Sequence, residues 1–152
     1  MKFEILGRPK GKGRARHGNG HTYTPEDTRA YMDYVAYCFR QAGGKKTIYP
    51  VVVKMVVFMP IPKNFSKQMR IQALAGFVLP QVKPDNDNVE KIVFDALNGV
   101  AWNDDTQVVE NRTVKYFSDD PRIVVEITEA DTEYYKCNGR YKRRVRKDED
   151  ET

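Results

Sequence analysis

The sequence predicts an α/β (α+β) protein, a single domain in which helices pack on a mixed β-sheet. Three observations carry that expectation. IYPVVVKMVVFMP, residues 48–60, is a β-branched run of the kind that fills a buried strand. NVEKIVFDALNG, residues 88–99, instead repeats its apolar residues at helical spacing. Strand-like and helix-like segments follow one another as β–loop–α–β–α–α–β–β, with no internal repeat and no second apolar unit.

KFEILG opens as a strand with Phe3 and Ile5 on one face. GRPKGKGRARHGNGHTY, residues 7–23, has no hydrophobic period and is expected to be a loop, mobile until it meets a partner. Thr24 is placed to cap a helix, with Pro25 first inside it and Asp27 completing a capping box. Gly43-Gly44 stops that helix. The run 48–60 is entered after Pro50 and closed by Pro60 and Pro62. Ser66 is expected to cap a short helix reaching Ala75, and PQVKP is an extended connection into the helix of 88–99, which Gly99 ends. TQVVENRTVKYF and RIVVEIT read as two strands, with SDDP as a hairpin turn between them. The apolar pattern then stops, so the expected division is a folded domain over 1–130 and a charged, flexible tail over 131–152.

No stretch of about 18 apolar residues is present, which predicts no membrane span, and MKFEILGRPK lacks the apolar core of a signal peptide. The two cysteines, Cys38 and Cys137, form no CxxC pair, so free thiols in a cytoplasmic setting are expected and a zinc site is not. A pI near 9.1 and a net charge of +5 suggest a polyanionic partner. The charge is gathered at two ends. Arg8, Lys10, Lys12, Arg14 and Arg16 alternate through the glycine-rich segment, and Lys136, Arg140, Lys142, Arg143, Arg144, Arg146 and Lys147 crowd the tail. Phosphate contact by basic arms is the reading this favours.

Against that background, KPDNDNVEKIVFDALNGVAWNDD, residues 83–105, holds six acidic and two basic residues. Val89, Ile92, Val93, Ala96, Leu97 and Val100 fall on one helical face, with Asp87 and Lys91 on the other, one turn apart. Asp85 precedes the helix, and Asp104 and Asp105 follow it, so the chain must fold back if the two aspartate pairs are to meet. A solvent-facing Asp87–Lys91 ion pair, worth under about 0.5 kcal/mol, is the plainest use of those charges. An EF-hand fails: its sixth and twelfth positions, counted from Asp85, are Glu90 and Ala96 rather than Gly and Glu. What remains is a carboxylate site for a hard divalent ion, where the metal draws phosphate in and the basic arms hold the flanking backbone.

The stretch KPDNDNVEKIVFDALNGVAWNDDTQV resembles the central motif of the RusA-type Holliday junction resolvases: Lys/Arg-Pro-Asp-x-Asp-Asn-x-x-Lys, then Asp-Ala/Ser-Leu, then Trp-x-Asp-Asp-x-Gln-Val. Every element stands between Lys83 and Val108, and the likeness extends more loosely over residues 2–129. The resemblance implies a RusA-like nuclease domain over 1–130, and a homodimeric endodeoxyribonuclease that resolves four-way DNA junctions by paired symmetric nicks with Mg²⁺, Mn²⁺ being able to substitute. It implies a bacterial cytoplasmic setting with a phage or prophage origin. By position, Asp85, Asp87, Asp104 and Asp105 match metal ligands and Lys91 matches the catalytic lysine. Arg8, Lys10, Lys12, Arg14, Arg16 and Lys83 are the candidate DNA contacts. A nuclease for other branched DNA, such as flaps, would use the same residues, and a non-catalytic DNA-binding protein would need none of the carboxylates.

Overall fold

A computed structural model describes residues 1–145. Its elements are β1 (Lys2–Leu6), β2 (Arg16–Gly18), β3 (His21–Tyr23), α1 (Glu26–Gln41), β4 (Val51–Pro60), α2 (Lys67–Leu74), α3 (Asn86–Leu97), a 3₁₀ turn (Asp105–Gln107), β5 (Val108–Ser118), β6 (Arg122–Glu129), β7 (Tyr134–Cys137) and β8 (Arg140–Arg143). The expected mixed sheet is present in the order β1-β6-β4-β5. β6 runs antiparallel to both β1 and β4, and β4 runs parallel to β5.

That order corrects the hairpin expected at SDDP. β5 and β6 are not neighbours, because β4 lies between them and pairs with each. Ser118 is opposite Pro60 and Arg122 is opposite Phe58, so the three residues 119–121 step over the end of β4. Two sheet spacings of about 4.8 Å are within their reach. The most apolar strand takes the centre, where both its edges are satisfied.

Alternation along β4 sends Val51, Val53, Met55, Val57 and Met59 to one face, where all are buried. Phe3 and Ile5 of β1, Ile123, Val125 and Ile127 of β6, and the apolar stripes of α1 and α3 join them in one core. Burying each such side chain contributes roughly 1.5–3 kcal/mol. Ser66 caps α2 as expected, its Oγ accepting from the Met69 N–H at 3.2 Å. α1 departs from expectation: Pro25 occupies the N-cap, and no side chain caps the helix.

Two further hairpins depart from the loop and tail expected there. β2 pairs with β3 across Asn19-Gly20, and β7 with β8 across Asn138-Gly139. All four turn residues have positive φ, the left-handed pair that a tight two-residue hairpin turn requires. Neither hairpin joins the main sheet. Arg146 and Lys147 lie outside the described residues. Among those described, no helix is long and apolar enough to cross a membrane.

Candidate active site

α3 carries the expected apolar stripe, with Val89, Ile92, Val93, Ala96 and Leu97 buried. The opposite face therefore points away from the core, and Asp87 and Lys91 are both exposed there. They form no ion pair with each other or with another described residue. Asp85 is the N-cap in extended conformation, yet its side chain does not cap the helix. Its two oxygens accept instead from Lys83 Nζ, each at 2.8 Å.

The approach to this end is fixed from the sheet edge. Lys115 of β5 donates from Nζ to the carbonyls of Val82 (2.7 Å) and Pro84 (3.1 Å). Asn86 Nδ2 donates to the Thr113 carbonyl at 3.3 Å. The glycine-rich segment closes the other side. A Cβ on Gly11 would stand 2.8 Å from Pro84 Cβ and 3.0 Å from Asn88 Cβ, so only glycine lets the backbones approach this closely. The Lys12 N–H donates to the Asn88 carbonyl at 3.1 Å, and its ammonium pairs with Asp95. The segment expected to be mobile is thus clipped to α3 at Gly11 and Lys12.

At the other end of α3 the chain turns back through Gly99 (φ 75°), and Trp102 returns beside Asn98. Trp102 is fully buried, meets Phe94 edge-on at 5.8 Å, and donates from Nε1 to Asn98 Oδ1 at 2.8 Å. Gln107 anchors the 3₁₀ turn. Its Nε2 donates to the carbonyls of Thr47 and Tyr49, both at 3.0 Å, and its Oε1 accepts from the Asn103 N–H at 2.8 Å. Asp104, exposed, and Asp105, half-buried, sit on this fixed turn with no ion pair to a described residue.

The two aspartate pairs therefore occupy opposite ends of α3. The helix has 12 residues, which is about 18 Å of rise. β5 gives the same picture: Asn86 touches Thr113, whereas Asp105–Gln107 ends where β5 begins, five residues earlier. Among the described residues, no three His, Cys, Asp or Glu side chains stand close enough to hold a metal ion together. Each pair supplies hard oxygen donors without nitrogen or sulfur, which suits Mg²⁺, an ion that commonly takes one or two carboxylates and fills its shell with water and phosphate. Either pair is thus a partial donor set.

Of the expected DNA contacts, Arg8, Arg14, Arg16 and Lys83 are exposed, and the first three have no ion pair to a described residue. Lys10 lies over the Tyr31 ring, 5.7 Å from its centroid. Lys12 is the exception, because Asp95 already holds its charge. Lys115 was not recognisable from sequence: its partners lie about thirty residues away, and no local pattern marks it. Gln107 stands in the motif, but its anchoring role appears only in the fold.

A family model described as endodeoxyribonuclease RusA matches residues 7–128. Uncharacterized protein YqaN of Bacillus subtilis (strain 168) is 36% identical over 137 residues, covering 86% of this chain and 96% of the relative. Crossover junction endodeoxyribonuclease RusA of Escherichia coli (strain K12) is 30% identical over 120 residues, covering 78% of this chain and 85% of the relative.

Proposed function

This chain belongs to the RusA family of endodeoxyribonucleases, and from that premise we propose that it resolves four-way DNA junctions as a Mg²⁺-dependent homodimer, nicking two strands symmetrically. The observation that carries the reading is the set of charges left unpaired around α3. Asp87, Lys91, Asp104 and Asp105 face outward on rigidly held backbone, with no described ion-pair partner to account for them. Solvated and unpaired, these carboxylates keep their oxygen lone pairs open to a hard cation.

Asp85, Asp87, Asp104 and Asp105 would hold the metal. When bound, the ion supplies Lewis-acid polarisation of the phosphate and lowers the pKa of water. Asp85, held by Lys83 in this structure, would be one of those ligands, and Lys83 would then be available to the DNA backbone. As water attacks phosphorus in line and the bond to the 3′ oxygen breaks, leaving a 5′-phosphate and a 3′-hydroxyl that takes up a proton, Lys91, one turn from Asp87, would neutralise the charge that builds on the phosphate oxygens. Arg8, Arg14 and Arg16 hold flanking phosphates.

A homodimer also answers the separation along α3. A second copy can bring its own Asp104 and Asp105 to the first copy's Asp85 and Asp87, completing by assembly what one protomer holds in halves. Two-fold symmetry then supplies the two sites that paired nicks need. Exposed apolar side chains support such an assembly. Ile71, Leu74, Phe77, Leu79 and Val82 lie on or just after α2, with Phe77 83% exposed, and a solvent-facing group of this kind suits a partner surface.

The test is to incubate labelled four-way, flap and linear duplex DNA with the protein, with and without Mg²⁺, and to map the nicks. Paired symmetric nicks in the junction alone, dependent on the metal, are expected. Cutting of flaps in preference to junctions, or undiminished activity of the asparagine variants of Asp85, Asp87 and Asp105, would overturn the reading.

A further inference from the structure

The β7–β8 hairpin lies beyond residues 7–128, the span that the family model matches. It is nonetheless fastened to the domain. The Arg144 guanidinium stacks on Tyr49 at 3.9 Å, pairs with Glu129, and donates to the Ala130 carbonyl at 3.3 Å. Tyr135 meets Tyr49 edge-on at 4.9 Å. Held there, the hairpin supplies part of the lining of a cleft of about 510 Å³ that Asp104 and Gln107 also line.

Strand register sorts the hairpin's side chains. Lys136 pairs with Tyr141 and Tyr134 with Arg143, so these four share one face. Lys136 and Tyr141 line the cleft. Tyr141 is 74% exposed and Tyr134 53%, although aromatic rings normally seek cover. Lys136 and Arg143 have no ion pair to a described residue. Cations alternating with uncovered aromatic rings match the chemistry of a nucleic-acid strand, with ammonium and guanidinium on phosphate and ring on base.

We propose that the cleft face of the β7–β8 hairpin grips the DNA flanking the cut phosphate, with Lys136 and Arg143 on the backbone and Tyr141 against a base. The inference rests on reading Asp104 and Asp105 as part of the cutting site. It also answers a problem of charge: the hairpin sets Lys136 in the same cleft as Asp104, a carboxylate that would otherwise repel the substrate.

Binding of a four-way junction, without divalent ions and over a range of salt, separates this inference from the activity. The combined variant Lys136→Ala, Tyr141→Ala, Arg143→Ala is compared with Arg140→Ala, Lys142→Ala on the other face, after melting curves show that both fold. The cleft-face variant should bind roughly tenfold more weakly, with a salt slope smaller by about 1.8 for two lost phosphate contacts. The other variant should lose distinctly less. Wild-type affinity and slope in the cleft-face variant, or equal losses from both faces, would overturn the proposal. So would an unchanged slope accompanied by loss of the dimer mass, which would make the hairpin an interface between copies. A protein that binds through this face but nicks nothing keeps the inference and defeats the activity. One that nicks normally and ignores the hairpin variants does the reverse.

Discussion

The two ends of α3 carry the same chemistry on different supports. At the start of the helix the carboxylates sit among cations: Lys83 holds Asp85, and Lys12 and Lys115 tie the flanking segments down. The positive end of the helix dipole also favours Asp85 and Asp87 by about 0.3–1 kcal/mol each. At the other end the support is uncharged, through the Trp102 ring and the Gln107 amide. Asp104 and Asp105 follow the negative end of the dipole and have no ion pair to a described residue. In the first pair Asp85 is neutralised at rest by Lys83 while Asp87 is not, whereas a cation brought to the second pair displaces no lysine.

The largest effect sharpens the comparison least, because it treats both ends alike. Asp85→Asn and Asp105→Asn should each lower junction cleavage by at least about a hundredfold. Junction binding should persist, as gel shift in the absence of metal would show. Next, Gln107→Leu removes three hydrogen bonds from the uncharged support. It should cost about 1–3 kcal/mol in stability and roughly ten- to a hundredfold in cleavage, read by denaturant unfolding and single-turnover rates. Lys115→Met tests the charged support. Its carbonyl partners lie near the surface, so a loss of about 1 kcal/mol and a smaller fall in rate are expected. Equal losses at Gln107 and Lys115 would erase the distinction drawn here.

The smallest effect concerns Tyr31, which underlies Lys10 in the glycine-rich segment. Burial pushes its phenol up to about 12. The folded state therefore keeps a proton that the unfolded chain releases above pH 10, so stability falls as pH rises from about 10 through 12. Tyr31→Phe should flatten that fall, as thermal melting at stepped alkaline pH would show, while leaving stability near neutrality little changed.

Where side chains interact locally, the sequence was legible. The β-branched run became the central strand, and the apolar spacing of 88–99 became a helix with its acids outward. Strand adjacency was not legible, because SDDP can close a hairpin or step over another strand, and only the pull of β4 to the sheet centre decides. The two Asn-Gly turns were visible signals, but they joined strands of three or four mostly exposed residues with no hydrophobic period to confirm them. At the site, motif spacing singled out the aspartates and Lys91 as candidates. It could not reveal that Lys12 answers Asp95, 83 residues away, or that one helix would hold the aspartate pairs apart.

That separation makes the account testable in one mixture. A double variant Asp85→Asn, Asp87→Asn and a double variant Asp104→Asn, Asp105→Asn are each expected to be inactive. If the site is shared between copies, a co-expressed heterodimer of the two has one centre with all four aspartates intact and one with none. Nicking of a single junction strand should then return, at about half the wild-type nicking rate on simple counting of sites. A heterodimer that forms and binds the junction but cuts neither strand would contradict the account, since every centre would then draw both its pairs from one chain.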